Sequence, residues 1–361
     1  MTLFEQVTCG PTKRSENLRF LKKTDCAVII LGIGEVAKWT TAILMKNGIG
    51  VDGYCVSDEF WKSGLKFGDV PVYPMSEVFK RFDKFIAILA VGSNRKKLRN
   101  ELMEHRQVVD CLEFDCPTVS EICDREQLLL KQGQLESLYT RFEDDYSRRT
   151  MTAFLNARIS GELDLLQKLE LPEEVHYLPD FIVFAPNEYV VDCGAYDGDT
   201  LEMFLKHVGS AGKYFALECD PVNFKKLQSK FGGNDNIVLL PYGVSDSDRT
   251  AFMDSGGGTA SKISEKGEKA IQLTTIDRII NDNMSNCTYI KMDIEGEELA
   301  ALHGAEQTIL KYRPKLAICV YHKAEDLWTI PQYILSLHHD YKLYLRKYVS
   351  PFSCELVLYA I

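Results

Sequence analysis

The amino-acid sequence predicts an α/β protein in which a helical connector joins two parallel-sheet domains. Apolar runs typical of buried strands alternate with helical patterns both before residue 115 and after residue 181, as expected for βαβ units. Between these stretches, residues 125–171 lack proline and repeat apolar residues at helical spacing. A chain of 361 residues is long enough for two domains of ordinary size.

The first domain is predicted to be Rossmann-like and to span residues 1–124. A buried-strand pattern at residues 27–31 runs into Gly32-Ile33-Gly34, which opens a helix. Three more strands are expected at residues 51–56, 85–91 and 108–112, with helices ending near Asn47 and covering about residues 95–105. This alternation predicts a parallel sheet with helices on its faces.

The connector is expected at residues 125–178 and a second Rossmann-like domain at residues 179–361. Apolar residues recur at helical spacing in the connector, as at Leu128, Leu135 and Phe142, so we expect two or three helices there. Seven strands are expected after it, at residues 189–191, 214–217, 237–240, 289–292, 316–320, 341–346 and 355–360. The last two are expected to form an antiparallel pair.

Bulk composition narrows the function classes. The formal net charge is −10, and a negative surface disfavours nucleic acid as a partner. The 11 cysteines include neither a CxxC pair nor zinc-finger spacing, so we expect no disulfide framework. We find no signal-peptide core and no apolar run of the ~18–20 residues that a membrane helix needs. We therefore expect a cytoplasmic protein that binds a small molecule and has no membrane partner. Assembly into a homo-oligomer is compatible with the sequence.

A glycine-bearing turn at residues 192–200 follows one predicted strand and opens a helix. Such a turn lets the backbone approach a ligand at the end of a parallel strand. Asp192, Asp197 and Asp199 crowd the turn, and Glu218 ends the next strand. These acids would repel phosphates but suit the sulfonium, ammonium and ribose of S-adenosylmethionine. The alternative is a turn whose solvated acids are merely favoured by the helix dipole.

Three ordered motifs resemble a known family over about residues 180–361. They are Asp192-x-Gly194-Ala195-x-x-Gly198, Leu217-Glu218-x-x-Pro221-x-Asn223-Phe224-x-x-Leu227 and Ile290-Lys291-Met292-Asp293-Ile294-Glu295-Gly296-x-Glu298. This part of the chain resembles the FkbM-type methyltransferases. The resemblance implies a class I methyltransferase fold with S-adenosylmethionine as cofactor. It also implies O-methylation of a hydroxyl, often on a sugar or secondary metabolite.

The expected cofactor site follows these motifs. It comprises Asp192, Gly194, Ala195, Tyr196, Asp199, Thr200, Glu218, Asp220, Asn223, Gly243 and Asp293. One departure from the family pattern is His303, which lies outside the Asp-x-Glu-Gly motif, whereas many relatives carry a histidine nearer to it. The role of the family's histidine therefore cannot be assigned to His303 from its position in the sequence.

The reacting centre is expected where the fourth and fifth strands of the second domain end. Transfer of a methyl group to a hydroxyl needs a base or a metal nearby. We expect His322 or Asp293 to act as the general base, with Glu295 orienting the base or the acceptor. Alternatively, Glu295 caps the following helix, His322 is only a hydrogen-bonded strand-end residue, or the three bind a divalent ion. Residues 255–261 are either a lid over the substrate or a surface loop.

The first domain carries a loose dinucleotide pattern, Gly32-x-Gly34-x-x-Ala37, followed by Asp52 or Asp58. Residues 25–115 resemble the small nucleotide-sugar-binding domain at the front of sugar-modifying acetyltransferases. That resemblance implies that Gly32, Gly34, Ser93 and Asn94 lie near a phosphate or sugar and that Asp58 contacts a base or ribose. The alternative is a degenerate domain kept for packing or dimerisation.

The leading hypothesis from sequence is an O-methyltransferase acting on a sugar or nucleotide-linked sugar, whose first domain holds the acceptor. A second hypothesis is an NAD(P)-dependent oxidoreductase built on Gly32-x-Gly34-x-x-Ala37. A third is a non-catalytic protein that binds S-adenosylmethionine. The acids beside the fourth strand, Asp293 and Glu295, favour catalysis over mere binding.

Overall fold

The expected fold class is confirmed in a computed structural model, which has two α/β units with largely parallel sheets. It describes residues 2–8, 12–92, 94–115, 125–209, 212–253, 267, 269–283, 286–350 and 352–361. Among the described residues, no helix is both long and apolar enough to cross a lipid bilayer. The described cysteines are all free thiols.

The first unit contains a six-stranded sheet. Its elements are α1 (Lys13–Leu21), β1 (Ala27–Leu31), α2 (Glu35–Lys46), β2 (Gly53–Val56), β3 (Lys66–Phe67), β4 (Val70–Pro74), α3 (Met75–Arg81), β5 (Phe85–Leu89), α4 (Arg95–Met103) and β6 (Val108–Glu113). The strand order is β3-β4-β2-β1-β5-β6, and only β3 runs antiparallel. Sequence patterns missed β3 and β4 because both are short and β4 contains Pro71, which weakens a strand signal.

The connector forms four helices and a short strand. These are α5 (Arg125–Leu129), α6 (Gln132–Arg141), α7 (Asp145–Ser160), α8 (Asp164–Gln167) and β7 (Glu170–Leu171). Asp144 caps α7 by accepting a hydrogen bond from the backbone N–H of Ser147. The apolar core of the connector is continuous with that of the C-terminal half and also takes in Leu3, Phe4 and Val7. The domain boundaries at residues 124 and 178 stay predictions.

The C-terminal unit contains all seven strands expected from the sequence. Its elements are β8 (Tyr189–Cys193), α9 (Asp199–Val208), β9 (Lys213–Leu217), α10 (Pro221–Phe231), β10 (Ile237–Leu240), β11 (Gly243–Val244), β12 (Arg249–Met253), β13 (Lys269–Thr274), α11 (Ile276–Asn283), β14 (Tyr289–Met292), α12 (Glu298–His303), α13 (Glu306–Tyr312), β15 (Lys315–Cys319), α14 (Asp326–Leu337), β16 (Leu343–Tyr348) and β17 (Leu356–Ala360). The order of the main sheet is β10-β9-β8-β14-β15-β17-β16-β7, in which β17 runs antiparallel to both of its neighbours.

Two features of this unit were not expected. The strand β7 of the connector pairs with β16 and extends the main sheet to eight strands. A second sheet, in the order β11-β13-β12, is inserted before α11. Sequence patterns missed these strands because they lack a continuous apolar run. In β12, for example, Ala251 and Met253 are buried and the other three residues are exposed.

The two central strands β8 and β14 define where a ligand can bind. From β8 the chain continues to β9 on one side, whereas β14 is followed by β15 on the other. Ligands of such sheets bind in the crevice at this switch point, beyond the carboxyl ends of the strands. Gly194 follows β8 with a φ of 80°, and a Cβ atom there would lie 2.0 Å from the carbonyl oxygen of Asp293. The two loops approach too closely for a side chain at residue 194.

We expect Gly194→Ala to lower the free energy of unfolding by about 3 kcal/mol or more, because it combines an unfavourable φ with a backbone clash. The measurement is urea unfolding of both proteins. Gly133→Ala is the control: no heavy atom lies within 4 Å of a Cβ atom at this α6 position. It should stabilise the helix by about 0.5–1 kcal/mol. Equal effects of the two changes would contradict the crowding at Gly194.

Candidate active site

A cavity of about 490 Å³ opens at the carboxyl ends of the central strands, within the range of about 300–1,000 Å³ typical of small-molecule sites. All its lining residues lie between Glu173 and Glu355, and no described residue of the first unit is among them. The cavity brings together nine residues expected from sequence: Gly194, Tyr196, Asp199, Thr200, Glu218, Asn223, Gly243, Asp293 and Glu295.

A buried ion pair lies beneath the cavity. Asp192 is 0% exposed, and its Oδ1 atom is 3.0 Å from Nζ of Lys291 on the neighbouring strand. Tyr214 donates a hydrogen bond of 2.9 Å to the other carboxylate oxygen. Lys291 also donates to the carbonyl oxygen of Gly194 at 2.7 Å. The structure therefore places Asp192 under the turn, where it positions the backbone and does not line the cavity.

Three other residues expected in the cofactor site or its acidic turn also lie outside the cavity lining. Asp197 pairs with Lys230 at 2.9 Å, so its charge is compensated by a residue on α10. Asp220 caps α10 by accepting from the backbone N–H groups of Val222 and Asn223. Ala195 is completely buried. The negative charge of the turn itself is thus lower than the sequence suggested.

Glu218 lies at the end of β9 and faces the cavity. Its carboxylate accepts hydrogen bonds from the backbone N–H groups of Tyr196, at 2.9 Å, and Asp220, at 2.7 Å. Burial raises the pKa of Glu218 to about 7, although these two hydrogen bonds favour the charged form. The carboxylate is thus fixed in place at the side of the glycine turn, where it can accept from a bound diol.

Asp293 follows β14 and forms the opposite wall. Tyr177 donates a hydrogen bond of 2.8 Å to its Oδ2 atom, and Tyr321 donates one of 3.4 Å to Oδ1. Burial favours the neutral acid, but the charges of His322 and Lys291 and the Tyr177 hydrogen bond together lower the pKa of Asp293. Asp293 is therefore an ionised carboxylate held between two tyrosines.

His322 is not the near-neutral base that the sequence suggested. The residue is buried and does not line the cavity. Burial opposes protonation, but the carboxylates of Glu298, Asp293 and Glu295 outweigh it and raise the pKa of His322 to about 10. One donor atom from each of Asp293, Glu298 and His322 lies within 4.8 Å of the others, a spacing that could hold a metal ion.

Several cavity residues were missed in the sequence. His176 stacks between Tyr177 and Tyr348, with ring centroids 3.9 and 4.2 Å apart, and burial lowers the pKa of His176 to about 3. Glu355 precedes β17. Because β17 is antiparallel, its first residues lie at the edge where the parallel strands end. Burial and the charge of Asp293 raise the pKa of Glu355 to about 7.

Backbone strain is concentrated at this cavity. Seven described non-glycine residues have a positive φ, and four of them line the cavity: Tyr177, Tyr196, Glu295 and Glu355. Such conformations cost of order 1–3 kcal/mol each and cluster at functional sites. Glu295 itself does not cap α12, since the N-cap position is occupied by Glu297.

The candidate residues of the first unit are not gathered in one cavity among the described residues. A Cβ atom at Gly32 would lie 2.3 Å from the carbonyl oxygen of Ala90, and Gly34 is the N-cap of α2. Asn94 lines a shallow surface depression on α4. Asp58 is exposed and accepts from the backbone N–H of Ser76 at 3.0 Å. Ser93 and the expected lid at residues 255–261 lie outside the described residues.

Comparisons with known proteins agree with this geometry. Residues 192–350 match the family model described as the methyltransferase FkbM domain. The C-terminal half thus contains a match to a methyltransferase domain. A structure of the methyltransferase FkbM from Methylobacillus flagellatus KT shares the fold with a TM-score of 0.73 and 24% sequence identity, covering 97% of this chain and 94% of that chain.

Other similar structures are more distant. An rRNA methylase from Streptococcus thermophilus has 14% identity and a TM-score of 0.32, covering 49% of this chain and 87% of its own. Fibrillarin from Aeropyrum pernix, in complex with S-adenosyl-L-methionine, has 13% identity and a TM-score of 0.34, covering 53% and 74%. No curated protein matches the sequence. The acetyltransferase resemblance of the first unit stays a prediction.

We expect Lys291→Met to lower the free energy of unfolding by about 3–5 kcal/mol, because it leaves Asp192 charged and buried without its partner. Thermal and urea unfolding are the measurements. The double variant Lys291→Met with Asp192→Asn should recover part of the loss, since the buried charge is then gone. Additive losses would contradict direct coupling between the two side chains.

Glu218 should make stability depend on pH. Its folded-state pKa of about 7 lies above the usual unfolded value of about 4.3. Its contribution to the free energy of unfolding is therefore fully present below about pH 4 and is lost as pH rises through about 7. Relative to Glu218→Gln, the wild type should lose up to about 3 kcal/mol between about pH 5 and 8. Urea unfolding at several pH values tests this, and a constant difference would contradict it.

Proposed function

We propose that the protein is an S-adenosylmethionine-dependent methyltransferase that methylates a hydroxyl of a sugar, a nucleotide-linked sugar or a related secondary metabolite. The observation that carries the proposal is the charge of the cavity. Among the described residues that line it, Lys291 is the one lysine or arginine, against seven carboxylate side chains: Glu173, Asp199, Glu218, Asp293, Glu295, Glu297 and Glu355. Asp192 already neutralises Lys291, and Arg249 pairs with Glu297 from outside the lining. The other acids leave the cavity negative, so it favours a cationic ligand.

The residues present fit S-adenosylmethionine at the β8–β9 side of the cavity. Glu218 offers a fixed carboxylate to a ribose diol, as acids at this position do in dinucleotide folds. Asp199 and the turn at Gly194 lie beside it, where an ammonium group gains from negative charge. When bound, the cofactor supplies a methyl group on a positively charged sulfur, which a nucleophile can attack. The match of residues 192–350 to a methyltransferase domain supports this assignment.

The acceptor is assigned to the other side of the cavity, between Asp293 and Glu355. The ionised Asp293 orients the acceptor hydroxyl, and Glu355, with a pKa of about 7, takes its proton, because a base works best with a pKa near the working pH. The acids here disfavour a phosphate inside the cavity. A neutral sugar ring therefore enters, and any phosphates of the acceptor remain outside, with the first unit as their proposed binding site.

The first test is calorimetric titration with S-adenosylmethionine and, in separate runs, NAD and NADP. We expect micromolar binding of S-adenosylmethionine that weakens at least about tenfold, or about 1.4 kcal/mol, in Glu218→Ala. Asp197→Asn is the matched control, because this acid lies in the same turn but pairs with Lys230 outside the cavity. It should bind as the wild type does.

Acceptors are then tested by transfer of a tritiated methyl group to free sugars and to nucleotide-linked sugars. Labelled product is expected with at least one of them and should be lost in Glu218→Ala. Binding of NAD or NADP without binding of S-adenosylmethionine would refute the proposal and move the chemistry to the first unit. Binding without any methylated sugar would refute the proposed acceptor class.

A further inference from the structure

A buried histidine nitrogen faces the carboxylates at the acceptor side of the cavity. Nε2 of His322 has no hydrogen-bond partner among the described residues, and the side chain is 2% exposed. The nearest acid oxygens are Oδ1 of Asp293 at 3.5 Å and Oε2 of Glu295 at 3.9 Å. Both separations exceed the about 2.7–3.2 Å of an N–H···O hydrogen bond. These two contacts are therefore ion pairs without a direct hydrogen bond, and Nε2 keeps an unused hydrogen-bonding position that faces the acids.

The other ring nitrogen is firmly oriented. Nδ1 of His322 lies 2.8 Å from Oε1 of Glu298, and the same oxygen accepts the backbone N–H of Ile294 at 2.9 Å. Glu298 is completely buried. The metal-free ring is protonated, so an ion at Nε2 would displace its proton; Nδ1–H then still donates to Glu298, and the lone pair of Nε2 points towards the acids. A carboxylate behind a histidine in this way is the usual outer-shell partner of a metal-binding imidazole.

The spacing of Nε2 of His322 and Oδ1 of Asp293 also fits an ion, and Glu295 lies just beyond that spacing at 3.9 Å. Bonds of about 2.0–2.2 Å from a divalent ion to nitrogen and oxygen place neighbouring donor atoms roughly 3.0–3.6 Å apart. The Nε2 to Oδ1 separation of 3.5 Å falls in that range. A positive ion would also offset the repulsion among the carboxylates that meet here.

We propose that Asp293 and Nε2 of His322 bind a divalent transition-metal ion of the manganese class, with Glu295 as a further oxygen ligand. Glu298 orients the imidazole from behind. One imidazole with two carboxylates suits such an ion, because imidazole is a poor ligand for magnesium or calcium and thiolates are absent from this donor set. Asp293 and Glu295 line the cavity, so the ion would reach the acceptor oxygen. That role rests on the proposed function, whereas binding of the ion does not.

The test is titration of the metal-free 361-residue chain with MnCl₂, followed by electron paramagnetic resonance. We expect one Mn²⁺ per chain and, in the pulsed spectrum, the ¹⁴N coupling of a directly bound imidazole. Asp293→Asn should weaken binding by at least about tenfold and Glu298→Gln by about 10–100-fold. Glu297→Gln is the matched control: this neighbouring acid lines the same cavity but faces Ser245 and Arg249. It should leave the affinity unchanged.

Each result has a defined meaning. Absence of Mn²⁺ binding by wild-type protein that is folded in a thermal melt would overturn the proposal. So would Mn²⁺ binding without ¹⁴N coupling, or equal weakening in Asp293→Asn and Glu297→Gln. Titration of the same samples with S-adenosylmethionine separates the two proposals. Mn²⁺ binding without cofactor binding would refute the proposed function alone, and cofactor binding without Mn²⁺ would refute the metal site alone.

Discussion

The candidate site depends on the ion pair between Asp192 and Lys291. These residues are direct neighbours on β8 and β14, and Tyr214 ties the same carboxylate to β9. The ammonium group also holds the carbonyl oxygen of Gly194. A buried pair stabilises a fold only when other hydrogen bonds support it, and here Tyr214 donates to the carboxylate while the carbonyl oxygen of Gly194 accepts from the ammonium group. One interaction thus fixes both the central strands and the loop that lines the cavity.

This pair also determines the charge that a ligand meets. Asp192 neutralises Lys291 below the surface, and Lys291 is the one lysine or arginine among the described lining residues, which include seven acids. Burial raises the pKa of two of these acids, Glu218 and Glu355, to about 7. Asp293 instead lies beside a positively charged group, because Nε2 of His322 is 3.5 Å from its Oδ1 atom. A cation brought by a ligand or an ion reduces the same repulsion.

The sequence predicted those parts of the fold and site that are encoded locally. Buried parallel strands are continuous apolar runs, so β8 and β14 could be found, and the residues just after them, such as Gly194 and Asp293, followed. Partners that are distant in the chain could not be found. Nothing in the turn at residues 192–200 indicates that Lys291 and Lys230 compensate two of its acids. Glu355 was missed because only the antiparallel pairing of β17 brings it to the site.

The loop between β16 and β17 offers a physical link between the first unit and the acceptor side of the cavity. Its residues Ser350 and Glu355 line the cavity. Ser353, between them, is buried and bonds through its backbone N–H and its hydroxyl to Asp115 of the first unit, at 3.1 and 2.6 Å. Phe352 packs against Arg95 of α4. The first unit contributes no described residue to the cavity, yet a ligand that shifts α4 or Asp115 would act on Glu355 through the short backbone segment that begins at Phe352. The two units therefore need not share a cleft for one to influence chemistry in the other.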